Sequence, residues 1–390
     1  MRISQVITLG HELYGAQKHV LDLATAFNDD GHDVMVMVGT TGRLTDLCSE
    51  RGVPWQQIES LQRSIRPLKD YRAFAELKSA MSEFKPDVVA SHSSKSGIIA
   101  RLVCNKLEIP NTFTAHGWSF EDGVPPMRRK MYKTIERLVG RVSCKIITVS
   151  ELGKELANEN KIVPPEKLEM IYYGTDDVGS QYPKDQQSTF TMTMAAGFRE
   201  QKDHETLVHA LARVKDRPWQ INFLGDGPLR PQIEALVNQY GMQDKVHFRG
   251  MVNNVPEYMA QTDLLVLITN WEGLPISTLE GLTFSLPVLA SDVSGVREQV
   301  VDGYNGLTVG RGDVDDVERA LKTILDQPEK LAEYGKNSRA LYEQHFTHEA
   351  MYRDTKTLYQ SIIDSHRATG SIVPPPHQKR GSRKRSASAA

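Results

Sequence analysis

One feature of this 390-residue chain restricts its fold more than any other: short apolar runs alternate with helix-length segments, twice over. Such alternation is typical of βαβ units, whose parallel strands are covered by helices on both faces. We therefore predict an α/β protein with two doubly wound, Rossmann-like domains. The predicted strands lie near 3–9, 33–38, 87–91, 112–115, 145–149 and 169–172 in the first domain, and near 191–196, 220–224, 246–249, 264–268, 287–290 and 306–309 in the second.

Local composition divides the chain into five parts. Hydrophobic residues make up 39% and charged residues 25%, as in ordinary globular proteins, so the chain can bury a sizeable core. A polar stretch with glycine, proline and glutamine is typical of an interdomain linker, and a final segment with three consecutive prolines cannot form a core. The predicted parts are a first domain at 1–175, a linker at 176–188, a second domain at 189–346, a helix at 347–368 that packs back toward the first domain, and a disordered tail at 369–390.

The tail is strongly basic, whereas the rest of the chain is acidic. Five cations within 379–385 contribute +5 to a net charge of −2, so the remaining residues carry −7. A solvated tail is the simplest interpretation, and attachment to anionic lipid, worth roughly 1 kcal/mol per cation near the surface, is the alternative. The acidic body argues against nucleic acid as a partner.

Neither the termini nor the cysteines indicate export. No apolar run approaches the ~18 residues that span a bilayer, and the first residues are typical of a strand rather than a signal peptide. Cys48, Cys104 and Cys144 lack the spacing of a metal site or a disulfide framework. We expect a cytoplasmic protein with reduced thiols.

Two glutamates flank a predicted junction between a strand and a helix. The apolar run 263–268 predicts a buried strand, and Glu272 follows its end. Gly273 permits a tight turn, and Pro275 suits the first turn of a helix that carries Glu280 about one turn in. Open α/β sheets bind ligands at the carboxyl ends of their strands, so two carboxylates in that crevice favour a nucleotide-sugar site. An exposed pair of acids, stabilised by the helix dipole, is the other interpretation.

Several motifs, in this order along the chain, together resemble glycosyltransferase family 4. They are Y-G-A-Q-K-H-V at 14–20, S-H-S-S-K-S-G at 91–97, T-A-H-G-W-S-F at 114–120, G-F-R-E-Q-K-D at 197–203, F-L-G-D-G-P-L at 223–229, the E-x7-E pair of Glu272 and Glu280, V-S-G-V-R-E at 293–298 and D-G-Y-N-G-L at 302–307. The first-domain motifs resemble those of a bacterial surface-polysaccharide subgroup. The resemblance implies the GT-B architecture, in which an acceptor-side domain and a nucleotide-sugar-binding domain face each other across a cleft.

The resemblance also implies a role for each motif residue. The catalytic set is Glu272 on the sugar hydroxyls, His116 on an outer sugar hydroxyl, and Lys202 with Arg199 on the diphosphate. The donor-binding set is Gly15, Glu280 on the ribose, the backbone of Gly273, Leu274, Pro275 and Ile276, and Gly225, Gly250 and Met251 near the base. Cations and helix N-termini suit a leaving diphosphate because negative charge develops there. Trp118 and Phe120 are predicted to stack on acceptor sugars.

The chain departs from the family pattern at four positions. Gly197 stands where an arginine is usual, Tyr14 and Ser285 where glycines are usual, and Tyr173 where an Asn-Gly pair is usual. We expect Tyr173 and Ser285 to alter packing, and Arg199 to reach the place of the missing arginine.

The family resemblance implies a retaining, metal-independent hexosyltransferase. Its donor would be a UDP-sugar rather than a GDP-sugar, and its acceptor a glycan or polyprenyl-linked saccharide in exopolysaccharide, capsule or lipopolysaccharide synthesis. No cofactor and no metal are expected, because the single D-x-D candidate, Asp313 to Asp315, is explained by helix capping. A GT-B protein that binds sugar nucleotides without turnover, such as a scaffold, is one alternative, and a GT-B-like epimerase or phosphorylase is another.

One predicted helix raises the question of a membrane. The segment 125–141 is rich in cations and has an apolar stripe of Met131, Ile135, Leu138 and Val139. This pattern is typical of a helix on an anionic membrane surface, here the inner face of the cytoplasmic membrane, and equally of a helix packed on the core with a solvated basic face. Both interpretations stay open from the sequence.

Overall fold

The computed structural model describes residues 1–11, 13, 15–120, 124–183 and 189–370. Over these residues the chain forms two sheets, one of seven and one of six strands, and every strand pairing is parallel. The predicted α/β class with two doubly wound domains is therefore confirmed.

The first sheet has the strand order β3-β2-β1-β4-β5-β6-β7. Its strands are β1 (Arg2–Ile7), β2 (Asp33–Val38), β3 (Trp55–Gln57), β4 (Val88–Ser91), β5 (Asn111–Ala115), β6 (Lys145–Thr148) and β7 (Leu168–Met170). The helices of this half are α1 (Gly15–Asp29), α2 (Arg43–Glu50), α3 (Pro67–Phe84), α4 (Ser94–Leu107), α5 (Pro126–Gly140) and α6 (Glu151–Glu159).

The second sheet has the order β10-β9-β8-β11-β12-β13. Its strands are β8 (Phe190–Ala195), β9 (Trp219–Leu224), β10 (Val246–Gly250), β11 (Leu264–Leu267), β12 (Val288–Ser291) and β13 (Gly306–Val309). The remaining helices are α7 (His204–Arg213), α8 (Arg230–Tyr240), α9 (Val255–Ala260), α10 (Ile276–Thr283), α11 (Val314–Asp326), α12 (Glu329–His345) and α13 (His348–Thr369).

Both sheets have the buried strands that apolar runs predict. Strands β4, β5, β11 and β12 are buried at every position, because helices cover both faces of each sheet. The order of strands reverses between β1 and β4 and again between β8 and β11. Loops that leave neighbouring strands in opposite directions open a crevice at such points, and ligands of open α/β sheets bind there.

The chain crosses between the two halves at two adjacent places. Thr175 forms a parallel bridge with Thr347, in which the Thr175 amide donates to Phe346 O at 2.9 Å and the His348 amide donates to Thr175 O at 3.0 Å. After this bridge α13 runs back over the first half, where Tyr352 and Lys356 both contact Asp30. The domain boundaries given above stay predictions, and residues 184–188 of the predicted linker and 371–390 of the predicted tail lie outside the described residues.

Among the helices that the structure describes, none combines the length and the apolar character needed to cross a bilayer.

Candidate active site

The centre of the cleft holds an ion pair between the half-buried Lys202 and the buried Glu272. Glu272 lies five residues after β11 and is 6% exposed, and Lys202 comes next to it through an antiparallel bridge with Thr269. The Glu272 carboxylate also accepts from Thr269 Oγ1 at 2.8 Å and from Gln201 Nε2 at 3.3 Å. Three donors therefore fix this carboxylate, and its pairing with the cation explains how a charge can be buried here.

Arg199 lies beside the glycine that replaces the usual arginine. A Cβ at Gly197 would be 3.9 Å from Arg199 Nε and 3.3 Å from the carbonyl oxygen of Asp226. Arg199 is exposed and lies next to the position where the arginine is missing. Its contact with a diphosphate stays a prediction.

The loop after β11 touches the other half of the molecule through Gly273. A Cβ at Gly273 would be 2.4 Å from the carbonyl oxygen of His116, closer than real Cβ atoms come. On the other side, Gly295 has a φ of 77° and packs against Gly273 O, where a Cβ would be 1.9 Å away. Only glycine fits at either position, and this contact joins the two halves at the floor of the cleft.

Helix α10 forms one wall of the same site. Pro275 caps the helix and Ile276 begins it, so the predicted helix start near Pro275 is confirmed. Gly15 begins α1 opposite, where a Cβ would be 3.4 Å from Ile276 Cδ1. Leu274 and Ile276 are half-buried against the apolar core, which holds the first turn of α10 in place.

Glu280 lies inside α10 rather than at its exposed N-terminus. Its surroundings raise the pKa of Glu280, first through burial and also through the nearby negative charge of Asp22, while the Lys18 ammonium on α1 opposes the shift. No acid occupies the first turn of α10, and Glu272 is buried. The interpretation of the two glutamates as an exposed, dipole-stabilised pair is therefore wrong.

His116 follows β5 and belongs to a row of polar side chains. Its Nε2 lies 3.3 Å from His92 Nδ1, and His92 Nε2 lies 2.5 Å from Gln5 Oε1. Because an amide oxygen only accepts, His92 carries its hydrogen on Nε2 and accepts from His116 through Nδ1. Burial holds the pKa of both imidazoles well below the usual range, so both are neutral near pH 7. His116 Nδ1 is then an acceptor.

The residues predicted near the base also meet. The Gly225 amide donates to Gly250 O at 2.8 Å, and Met251, directly after, is 78% exposed. Both glycines have positive φ, 142° and 70°; Gly225 directly follows β9, and Gly250 is the last residue of β10. The two glycines and the exposed Met251 side chain thus lie together at the carboxyl ends of β9 and β10.

Two departures from the family pattern lie at structured positions, and the buried Tyr173 forms a contact of its own there. Tyr173 is 3% exposed and donates a hydrogen bond of 2.8 Å to Asp22 Oδ2. Ser285 has a φ of 56°, which explains why a glycine is usual there. Tyr14 lies outside the described residues.

The predicted stacking of Trp118 and Phe120 on acceptor sugars is wrong. Trp118 is 5% and Phe120 3% exposed, and the two rings stack on each other with centroids 5.1 Å apart. The Trp118 indole donates to Gly153 O at 2.8 Å. These aromatic residues build the core because β5 directs the chain under α6 rather than into the cleft.

The predicted capping role of Asp313 is confirmed. Its side chain accepts from the Asp316 amide at the start of α11, and Asp315 pairs with Arg213. The D-x-D acids thus have structural partners.

A cavity of about 530 Å³ opens on the first half of the molecule beside His116. Its walls include His92 and Lys95, and Tyr132 and Ile135 of α5.

Two Rossmann-like domains that face one cleft, with a lysine–glutamate pair at its floor, define the class of GT-B glycosyltransferases. The chain belongs to glycosyltransferase family 4. The model of "Glycosyltransferase Family 4" matches residues 14–178, and that of "Glycosyl transferases group 1" matches residues 181–341.

Curated relatives carry the same kind of name. The chain is 24% identical over 331 residues to UDP-Gal:alpha-D-GlcNAc-diphosphoundecaprenol alpha-1,3-galactosyltransferase of Escherichia coli, a match that covers 80% of this chain and 85% of the relative. It is 26% identical over 326 residues to the O-antigen biosynthesis glycosyltransferase WbnH of Escherichia coli, covering 83% and 90%.

Solved structures share the fold. Anabaena HepE in complex with UDP and glucose aligns with a TM-score of 0.79 at 18% identity, covering 93% of this chain and 100% of the other. The lipopolysaccharide outer core galactosyltransferase WaaB aligns with a TM-score of 0.72 at 16% identity, with the same coverage.

Proposed function

We propose that the protein is a retaining, metal-independent hexosyltransferase that uses a UDP-sugar, in preference to a GDP-sugar. Its acceptor is a glycan or polyprenyl-linked saccharide of a bacterial surface polysaccharide. The observation that carries the proposal is the ion pair between the half-buried Lys202 and the buried Glu272, which lies at the floor of the cleft beside the Gly273–His116 contact. A cation and a fixed carboxylate are thereby available side by side.

The cation serves the leaving group. As the bond between the anomeric carbon and the diphosphate oxygen breaks, its electron pair stays on the diphosphate, and Lys202 and Arg199 neutralise the added charge. The acceptor hydroxyl oxygen forms the new bond on the same face of the sugar, and the departing phosphate takes its proton. The configuration at the anomeric carbon is then retained.

Glu272 acts as a binding group rather than a nucleophile. Its oxygens already accept from Lys202, Thr269 and Gln201, and such stabilised lone pairs make it a poor attacking group. The same carboxylate can accept hydrogen bonds from sugar hydroxyls. His116 Nδ1, an acceptor by its tautomer, accepts from another hydroxyl of the same sugar in this proposal.

Relatives support the donor and the pathway. HepE has been solved with UDP and with UDP-glucose, and the first Escherichia coli relative is named for a UDP-galactose donor and a lipid diphosphate acceptor. We therefore propose a UDP donor, a lipid-linked acceptor bound near the cavity beside His116, and action at the cytoplasmic face of the membrane. Neither a cofactor nor a metal takes part in the proposed turnover.

The test is substitution of the ion pair. We expect Lys202→Ala and Glu272→Ala each to reduce transfer from the preferred nucleotide-sugar by at least ~10²-fold, because each removes a charge aimed at the reacting centre. The exposed Lys215 on the far side of the same domain provides the control Lys215→Ala, which should keep full activity. Near-normal transfer by Lys202→Ala would contradict the proposal.

A panel of nucleotide-sugars and acceptors extends the test to the unaltered protein. Transfer with retained anomeric configuration, measured by NMR of the product in buffer with a chelator, is the expected result. Binding of UDP without transfer across the panel would instead support a sugar-nucleotide-binding protein that lacks turnover.

A further inference from the structure

We propose that His19, His92 and His116 form a binding site for a divalent transition-metal ion such as Zn²⁺. Each of the three imidazoles offers a nitrogen, and these nitrogens lie within 4.8 Å of one another. The ring centroid of His19 is 5.4 Å from that of His92 and 4.8 Å from that of His116. Three chain segments that are remote in sequence thus converge on one point.

The spacing of two ligand atoms already suits a tetrahedral ion. Zinc binds imidazole nitrogen at ~2.0–2.1 Å, so two ligands of a tetrahedral ion are separated by about 3.3 Å. His92 Nδ1 and His116 Nε2 are 3.3 Å apart. Insertion of the ion replaces one hydrogen bond, and the third nitrogen needs to move inward by about 1.5 Å, which rotation of the His19 side chain can supply.

His19 has a polar atom that the protein itself does not satisfy. Its side chain is 3% exposed, and its Nδ1 has no hydrogen-bond partner among the described residues. Buried polar atoms without partners are uncommon in folded proteins, and an ion is one of the ordinary explanations. Burial also lowers the pKa of His19 to about 3, so the imidazole is in the neutral form that binds metals.

Gln5 supplies the outer contact that metal-bound histidines usually have. Its Oε1 accepts from His92 Nε2 at 2.5 Å, which directs the other nitrogen of that ring into the cluster. An outer hydrogen bond of this kind fixes the tautomer and orientation of a ligand. His92 is thus preorganised before any ion arrives.

The ligand set selects the kind of ion. Three imidazoles without a carboxylate suit Zn²⁺, Co²⁺, Ni²⁺ or Cu²⁺, whereas Mg²⁺ and Ca²⁺ require oxygen ligands. His92 and His116 line the 530 Å³ cavity, which gives the ion an entry route and leaves its fourth position open to solvent. Zinc sites with three histidines and an open position have this composition.

The consequence for activity rests on the proposed function. An ion bound to His116 Nε2 leaves the imidazole hydrogen on Nδ1, so this nitrogen can no longer accept from the donor sugar, and the metal acts as an inhibitor and not as a cofactor. Zn²⁺ should then compete with the nucleotide-sugar, and a chelator should restore transfer.

The experiment measures binding itself, without substrates. Untagged, full-length protein is treated with a chelator, dialysed and titrated with Zn²⁺ by calorimetry and with Co²⁺ by visible absorption. We expect one ion per chain, intense absorption typical of tetrahedral Co²⁺, and no binding of Mg²⁺. His19→Gln and His92→Gln should each weaken Zn²⁺ binding by at least ~10²-fold, and Gln5→Ala by about 10-fold.

The exposed His345 at the end of α12 provides the matched control, since His345→Gln should leave the affinity unchanged. Equal Zn²⁺ affinity of His19→Gln and the unaltered protein would overturn the proposal, and so would the absence of a stoichiometric site. If the variants do not fold, X-ray absorption spectroscopy of the zinc-loaded, unaltered protein tests the proposal instead. The proposal requires a zinc spectrum with three imidazole ligands and no sulfur ligand. These results do not depend on turnover, so the metal site and the proposed transferase activity can fail separately.

Discussion

At the scale of single residues, Glu280 combines a half-buried carboxyl group with a predicted task that needs its charge. Burial raises the pKa of Glu280, so the folded state favours the protonated form. The associated stability is present below the unfolded-state pKa and is lost as the pH rises through the higher folded-state pKa. A ribose, by contrast, donates hydrogen bonds best to the ionised carboxylate.

We therefore predict opposite effects of Glu280→Gln on stability and binding. The variant should have a higher free energy of unfolding than the unaltered protein at pH 8, a gain that disappears at low pH, and it should bind UDP more weakly. Urea denaturation at several pH values and calorimetry with UDP measure the two effects. Glu155→Gln, on the exposed face of α6, should change neither, and undiminished UDP affinity of Glu280→Gln would refute the assigned ribose contact.

Ser285 predicts a second residue-level effect, on stability alone. Ser285 has its backbone in the left-handed region, where a non-glycine residue lowers the free energy of unfolding by ~1 kcal/mol or more. Replacement by glycine removes this strain, but it also increases the conformational entropy of the unfolded chain, which offsets part of the stabilisation. We expect Ser285→Gly to raise the free energy of unfolding by about 0.5–1 kcal/mol, measured by denaturant titration. Ser285→Ala keeps the Cβ and should give no gain, so equal stabilisation by both variants would show that strain is not the cause.

The sequence revealed only part of the site at this scale. Glu272, Glu280 and Lys202 belong to motifs with fixed spacing and could be found. Gln201 and Thr269, which hold Glu272, carry ordinary polar side chains whose partners are set by the bridge between two loops. His116 was predicted, but its links to His92 and Gln5 were missed for the same reason, since Gln5 lies within β1 and His92 follows β4.

At the scale of elements, the apolar residues of α5 fall into two groups, one that faces the protein and one that is exposed. Val139 is buried and Ile135 lines the cavity, whereas Met127, Met131 and Leu138 are 87%, 42% and 54% exposed. These three project from one side of the helix, since positions 127, 131 and 138 repeat at helical spacing. An exposed apolar face flanked by cations favours contact with an anionic membrane.

We predict that this face carries membrane binding. Replacing Met127, Met131 and Leu138 by serine should abolish flotation with anionic liposomes, while replacing Val301 and Tyr304, exposed apolar residues of the second domain, should not. A chain that ends at residue 370 tests the basic tail, whose 379–385 cations lie outside the described residues. Loss of flotation only in the shortened chain would assign the contact to the tail, and no flotation of any protein would end the membrane proposal.

Elements with apolar runs were predicted well, and one without such a run was missed. Twelve predicted strands overlap observed ones among the described residues, because burial on two faces leaves a readable apolar pattern. Strand β3 has the sequence W-Q-Q with two exposed residues at the edge of the sheet. Its position is determined by pairing with β2, which the sequence alone does not display.

At the scale of the whole molecule, a nucleotide that bridges the cleft should stabilise both halves. A ligand at 100 times its dissociation constant adds about 2.7 kcal/mol to the free energy of unfolding. We expect UDP to raise the melting temperature more than GDP or ADP at equal concentration. A larger shift with GDP would reassign the donor base, and the Lys202→Ala variant should lose most of the shift because the diphosphate loses its cation.

The paired crossings at Thr175 and Thr347 also determine how the halves can move. The two chain crossings lie side by side and are hydrogen-bonded to each other, so together they can act as one hinge. Twisting or sliding of one half against the other would break the bridge, whereas rotation about an axis through it would not. Rotation about an axis through the bridge therefore preserves both of its hydrogen bonds, and the rim of the cleft farthest from this axis travels the greatest distance for each degree of rotation.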